Sequence, residues 1–279
     1  MTGHTPTLTF NDGATMPQVG LGTARQDDEV MRRVVREAIE VGYRLIDTGA
    51  RYGNEVGIGQ GIADSGVPRD QLFVTTKLRG SEQGYDSAII ALDASLDRLG
   101  LDYVDLYLIH WPLPRLDNYV ESWRALVDLR AAGKTRSIGV SNFLPEHLDR
   151  LAAASSTVPA VNQIELHVRL PQRDQLADDA RRGILTQAWS PLANNPDLLA
   201  DPVVVRIADR VGRSPAQVLL RWHVQQGIAI VPKASSVDRL RQNLALFDFE
   251  LADDDLGDLA TLETGIRVEG MHPATHEEF

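Results

Sequence analysis

Cysteine is absent from this chain. That excludes disulfides, thiolate nucleophiles and cysteine-held metals, and it is compatible with a reducing compartment. Long apolar runs are missing too: no stretch approaches the ~20 residues a membrane-spanning helix needs. The opening segment MTGHTPTLTFNDG lacks the basic-then-apolar layout of a secretory signal, so a cytoplasmic location is expected. Positive charge is scarce. Lys and Arg total 28 against 39 Asp and Glu, a net charge of −11, which argues against nucleic-acid and anionic-membrane partners. Among the 28 basic residues only Lys77, Lys134 and Lys233 are lysine. An ammonium is a compact point charge with a tunable proton affinity, whereas a guanidinium is a wide and permanently charged fork. In a chain so biased to arginine, lysine is expected to persist where arginine cannot replace it. Lys77 ends the run LFVTTKL and Lys233 ends IAIVPK, each reading as the last residue of a buried strand. Lys134 precedes a strand and reads as structural.

What is present is enough for one large core: 279 residues, 43% of them hydrophobic, with no Pro/Gly/Ser-rich linker to divide them. One domain over residues 1–279 is expected. A hairpin around Asn11-Asp12-Gly13 comes first, marked by its Asp-Gly turn. Strand patterns follow at Val19–Gly22, Arg44–Asp47, Leu72–Leu78, Val104–His110, Arg136–Ser141, Ala160–Ile164, Leu185–Ser190 and Ala229–Pro232. Helical patterns such as DDEVMRRVVREAIEVG, YDSAIIALDASLDRLG and NYVESWRALVDLRAAG alternate with them, opening on acids or closing on glycine. Further helices are expected near Pro202–Val211, Pro215–Gln226 and Asp253–Leu262. Buried strands alternating with helices imply a parallel sheet, and eight such units favour an α/β fold closed as a (β/α)₈ barrel, with the hairpin and extra helices as additions. An open doubly wound sheet is the competitor. The glycines of GNEVGIGQG neither spell GxGxxG nor open a helix after a strand, so that fold's dinucleotide fingerprint is missing.

Barrel chemistry stands at the C-terminal ends of strands. Those ends carry Asp47, Lys77, His110, Ser141, Asn142, Gln163, Trp189, Ser190 and Lys233, and Tyr52 follows Asp47 closely enough to fold over the same mouth. A free phenol, with a pKa of ~10, is a poor proton donor near neutrality. A lysine beside it stabilises tyrosinate, and an aspartate holds that lysine in place. A histidine can orient a carbonyl oxygen or share the proton. Together Asp47, Tyr52, Lys77 and His110 would protonate a carbonyl oxygen while a hydride reaches its carbon. The set contains no nucleophile–base pair and no two-histidine metal pair, so no metal is expected. Trp123 and Trp222 fall in helical patterns and read as core. His167 sits near the rim with no role assigned; His4, His147, His223, His272 and His276 read as surface or packing residues.

GLGT, DTGARYGNE, TTKL, YLIHWPLP, IGVSNF, NQIELH, WSPL and VPKASSVDRLRQN, taken in order, resemble the aldo-keto reductases from near the N-terminus to about residue 250, with closest likeness to bacterial members of the 2,5-diketo-gluconate reductase type. The resemblance implies a (β/α)₈ barrel that binds NADPH without a Rossmann fold. It makes Tyr52 the general acid, tuned by Lys77 and Asp47, with His110 orienting the carbonyl. It also implies that Ser141, Asn142 and Gln163 hold the carboxamide while Trp189 stacks on the nicotinamide. Ser190 and Leu192 would border the pyrophosphate. Lys233, Ser235 and Arg239 would take the 2′-phosphate, with Gln242 and Asn243 at the adenine. Three positions depart from the pattern: Ala234 stands where a hydroxyl is common, Gln242 replaces a glutamate, and Ala24 replaces an aromatic pocket wall. Ala24, Trp111 and the tail VEGMHPATHEEF therefore predict an open, partly aromatic substrate mouth. A small-molecule carbonyl compound (a dicarbonyl, keto-sugar or simple aldehyde) is the expected partner, with a monomer as the expected state. Two other functions compete: a Schiff-base aldolase using Lys77, and an NADPH-binding redox sensor acting through a partner.

Overall fold

The computed structural model describes residues 5–278, and its first elements form the antiparallel hairpin β1 (Thr7–Thr9) and β2 (Thr15–Pro17). Its turn uses Gly13 at φ 87°, while the Asp12 carboxylate accepts the Ala14 N–H at 3.0 Å. This is the side-chain chemistry that makes Asp-Gly a turn signal. Eight parallel strands follow in chain order: β3 (Leu21–Gly22), β4 (Leu45–Asp47), β5 (Phe73–Leu78), β6 (Val104–Ile109), β7 (Thr135–Ser141), β8 (Val161–Glu165), β9 (Leu185–Trp189) and β10 (Ala229–Ile230). The edges meet. Ile230 donates to the Gln18 carbonyl at 2.9 Å, Gly20 donates to the Ile230 carbonyl at 2.8 Å, and Gly22 donates to the Pro232 carbonyl at 3.2 Å. Closure removes both open edges and leaves an interior that side chains must fill.

Successive strand residues point to opposite faces, so each strand contributes a short inward ladder. Near the base these ladders are apolar: Leu45, Phe73, Leu106, Leu108, Val161 and Ala229 form one buried cluster with Phe10 and Met16 of the hairpin segment. The hairpin therefore seals the lower end. Two residues further up, the same faces turn polar, reaching Asp47, Thr75 then Lys77, and Gln163. The outward faces bury Val74, Tyr107, Ile138, Ile164 and Ala188 in the larger core beneath the helices.

The helices are α1 (Asp28–Val41), α2 (Glu55–Ser65), α3 (Tyr85–Leu99), α4 (Tyr119–Ala131), α5 (Pro145–Ala154), α6 (Arg173–Arg181), α7 (Pro196–Leu199), α8 (Pro202–Val211), α9 (Pro215–Val224), α10 (Val237–Leu244) and α11 (Asp253–Ala260). The acidic start of α1 is explained by Asp27, whose side chain caps Val30 N–H, and its glycine end by Gly42 at φ 122°. One reading is corrected. GNEVGIGQG does open a helix, α2, yet its glycines serve packing. A Cβ on Gly57 would sit 2.1 Å from the Asp28 carbonyl oxygen, and one on Gly59 2.1 Å from that of Leu99. They let α2 lie against α1 and the end of α3. Among the described residues no helix is long and apolar enough to cross a membrane.

Candidate active site

The loop after β4 carries Tyr52, and its placement follows from local bonds. Thr23 Oγ1 donates to the Asp47 carbonyl at 2.9 Å, while Asn54 Nδ2 donates to the carbonyls of Thr23 and Gln26 at 2.8 and 2.9 Å. Tyr52 N–H closes a tight turn on the Gly49 carbonyl, which Gly53 ends at φ 67°. The phenol is thereby stapled beside the tops of β4 and β5. Lys77, at the inward top of β5, is fully buried. Its Nζ donates to Asp47 Oδ1 at 2.6 Å and to the Thr48 carbonyl at 2.8 Å, and it lies 5.1 Å from the Tyr52 ring centre. The His110 ring meets Tyr52 edge-on, with centres 5.7 Å apart. All four sequence-selected residues thus converge.

Burial pushes the Tyr52 phenol up, and the Lys77 charge pulls it back only in part, with Asp47 pushing the same way as burial. Burial alone would pull Lys77 down, but Asp47 and Tyr52 more than offset it and hold the ammonium above its ordinary value. At neutral pH the pair is therefore a protonated phenol beside a charged lysine. Gln163 Nε2 ties the remaining Asp47 oxygen at 2.7 Å and reaches Gln187 Oε1 at 2.6 Å, so the polar upper interior is bonded across strands.

A cavity of about 630 Å³ opens over this group. Its lining includes Ala24, Trp111, Ser141, Asn142, Gln163, Trp189, Ser190, Leu192 and Lys233. Trp189 Nε1 donates to Asn142 Oδ1 at 2.8 Å, and Asn142 Nδ2 donates to the His110 carbonyl at 3.0 Å, which fixes the indole plane at the wall. Asn142 and Ser190 hold left-handed backbones, φ 64° and 48°, which turn the chain sharply off the tops of β7 and β9. Ser235, Arg239, Gln242 and Asn243 are not brought into that lining. Ser235 precedes α10, whose Ser236 caps Arg239 N–H; Arg239 and Gln242 are exposed, and Asn243 is buried near the Tyr43 phenol. Lys134 pairs with Asp93, away from this group. Trp123 and Trp222 are both core; His4 lies outside the described residues.

One expectation is revised here. The mouth is not simply open, because the C-terminal tail folds over it and contributes Val268, Met271, His276 and Glu278 to the wall. His276, read as a surface or packing residue, does pack, its ring tilted against that of Trp111 with centres 4.2 Å apart, and it lines the cavity as well. Glu278, only 1% exposed, approaches His110 and Gly80. No local pattern in HPATHEEF marks such a contact, which joins residues 198 apart in sequence. Arg51, which the sequence reading does not single out, also lines the cavity. His167 is buried against Glu165, its Nε2 3.1 Å from Oε1, and is outside the lining.

The family model for the aldo/keto reductase family matches residues 16–263. An aldo-keto reductase of Mycolicibacterium smegmatis is 51% identical over 270 residues, 97% of this chain and 98% of its own. Morphine 6-dehydrogenase of Pseudomonas putida is 45% identical over 280 residues, 96% and 95% of the two chains. The crystal structure of an aldo-keto reductase of Bombyx mori in complex with NADP superposes with a TM-score of 0.91 at 37% identity, covering 95% of each chain. A family model spanning most of the barrel, and relatives matched almost end to end, have one consequence: the chain belongs to the aldo/keto reductase family.

Proposed function

We propose that the protein reduces the carbonyl group of a small aldehyde or ketone with NADPH, with Tyr52 giving the proton. The observation that carries this reading is the buried Lys77 ammonium, fixed by Asp47 and Thr48 against the ring of Tyr52, which lines the cavity. NADPH, when bound, supplies the hydride. Trp189 would lie against its nicotinamide, with Ser141, Asn142 and Gln163 at the carboxamide. The fit is supported by the flat Trp189 face held at the wall and by amide and hydroxyl groups gathered at one level of the cavity. Ser190 and Leu192 would follow the pyrophosphate. Lys233, Ser235 and Arg239, with Gln242 and Asn243 beyond, would meet the adenosine end.

As the carbonyl oxygen gains charge it takes the Tyr52 proton, and the phenolate left behind is compensated by Lys77, whose charge Asp47 holds in place. His110 orients the oxygen. Trp111 and Ala24 shape the side where the rest of the substrate lies. The carbonyl compound is in this reading a dicarbonyl, a keto-sugar or a simple aldehyde, handled by a cytoplasmic, single-domain monomer. A lysine nucleophile requires a neutral amine, and the raised proton affinity of Lys77 opposes the aldolase alternative.

Tyr52→Phe tests the proposal. Removing the general acid should lower kcat by ~10²–10⁴-fold and leave NADPH affinity nearly unchanged, because the loss falls on the transition state. NADPH absorbance with a panel of aldehydes and dicarbonyls reads the first, fluorescence titration the second. Substantial turnover by the variant would remove Tyr52 from the role.

A further inference from the structure

The tail that covers the mouth is held at two carboxylates, one at a strand end and one its own. At its start, Glu165 at the top of β8 accepts the Val268 N–H at 2.5 Å, and Gln172 Oε1 accepts from the Arg267 guanidinium at 3.0 Å. At its far end the tail supplies the carboxylate itself. Glu278 Oε2 accepts the Gly80 N–H at 2.9 Å, while Oε1 lies 3.3 Å from Arg51 Nε and 2.6 Å from His110 Nδ1. Gly80 has no room for a side chain there, since a Cβ would stand 2.4 Å from the Glu278 carbonyl oxygen. The fit is close on both sides.

His110 Nδ1 and Glu278 Oε1 are both buried, and neither has a hydrogen bond, although they stand within ion-pair distance of each other. Buried polar atoms left unpaired are destabilising, so these two favour a bond to each other. Burial pushes the Glu278 carboxyl up, but His110, Gly80 and Arg51 bring it below its ordinary value, so it is ionised at neutral pH. An ionised carboxylate next to Nδ1 needs a proton on that nitrogen, because a lone pair there would be repelled.

We propose that Glu278 is a positioning residue for His110: its carboxylate accepts the Nδ1–H hydrogen bond, fixes the tautomer and tilt of the ring, and leaves the Nε2 lone pair to accept from the hydroxyl hydrogen that Tyr52 gives to the reacting oxygen. Among the described residues the other charged and titratable groups around the ring are Tyr52, the Lys77–Asp47 pair, Arg51, His276 and Glu277, and none of these is a second carboxylate paired with Nδ1. A histidine whose far nitrogen is bonded presents its near nitrogen in one state and one direction. The inference rests on the proposed carbonyl reduction for its catalytic meaning, but the tautomer itself does not.

The test uses the full chain labelled with 15N-histidine, of which there are seven. Comparison with His110→Gln assigns the His110 nitrogens. Wild type should show a protonated Nδ1 at neutral pH, and Glu278→Gln should abolish that bias while keeping the Gly80 contact. Glu278→Asp, which retains the charge but withdraws it, should fall between. In turnover, Glu278→Gln should lose about tenfold or more in kcat, as wrong or loose histidine placement does elsewhere, with NADPH affinity and KM little moved. Glu277→Gln should match wild type in both. A merely structural latch predicts unchanged His110 signals in Glu278→Gln, and that result overturns the proposal; if that variant does not fold, unchanged signals in Glu278→Asp do the same. A wild-type protein that reduces no carbonyl would instead sink the proposed function, with the nitrogen signals still deciding the role of Glu278.

Discussion

Lys77 is the residue on which the chemistry turns, and its surroundings explain why lysine persists here in an arginine-rich chain. The side chain is fully buried, and Nζ has two oxygen acceptors, Asp47 Oδ1 and the Thr48 carbonyl, within 2.8 Å. A guanidinium brings five donors on a wider planar fork. It would leave donors unmet in a site with no water-facing exit, and would displace the charge from Tyr52. Lys77→Arg should therefore lose nearly as much kcat as Lys77→Met, on the order of 10²-fold or more by comparison with other losses of proton-transfer machinery. Steady-state kinetics of the two variants would check this; near-normal activity in Lys77→Arg would mean that charge alone suffices. Asp47, Lys77 and His110 were legible in sequence because each ends a short β-branched run, so that strand alternation fixes the direction of the side chain. Glu278 was not. Its position depends on a chain return across the mouth, which neither periodicity nor spacing near residue 278 encodes.

At the scale of elements, strand alternation and helix caps read well, whereas α2 did not. Its three glycines at alternate positions look like a loop by propensity. Tertiary packing overrides that preference, because the backbones of Asp28 and Leu99 come too close for any side chain. The difference is measurable with a pair of substitutions. Gly59→Ala places a Cβ 2.1 Å from a backbone oxygen, so α2 must shift; a loss of ~1–3 kcal/mol is expected, outweighing the gain in helix propensity. Gly257→Ala in α11 meets nothing within 4 Å and should gain up to about 1 kcal/mol. Urea unfolding of both variants gives the signs. Stabilisation by Gly59→Ala would show that α2 does not pack this tightly.

Across the whole molecule the two ends of the described chain close the two ends of the barrel, Phe10 and Met16 at the base and the tail at the mouth. Its acid response is set by buried groups on the helical layer. His223 in α9 has both ring nitrogens near carbonyls, Leu219 at 2.8 Å and Leu166 at 2.9 Å, yet burial outweighs them and pushes it down to about 4. Since unfolded histidine titrates near ~6.5, the unfolded state binds that proton first. The stability from neutral His223 is complete above pH ~6.5 and is lost as pH falls toward 4. Asp179 in α6 works the other way. Burial pushes it up to about 6 against the donors Asn162, Gln175 and Thr186. Its charge is a cost at neutral pH, and the folded state takes the proton first, so stability is recovered as pH falls from 6 toward the unfolded value of ~3.9. The two contributions largely cancel in wild type over that window. Asp179→Asn removes only the recovering one. Whatever its effect at pH 6.5, the variant should therefore lose about 2 kcal/mol more than wild type by pH 4.5, read as a widening gap between urea midpoints. Midpoints that fall in parallel would show that Asp179 is not held protonated by its burial in the folded protein.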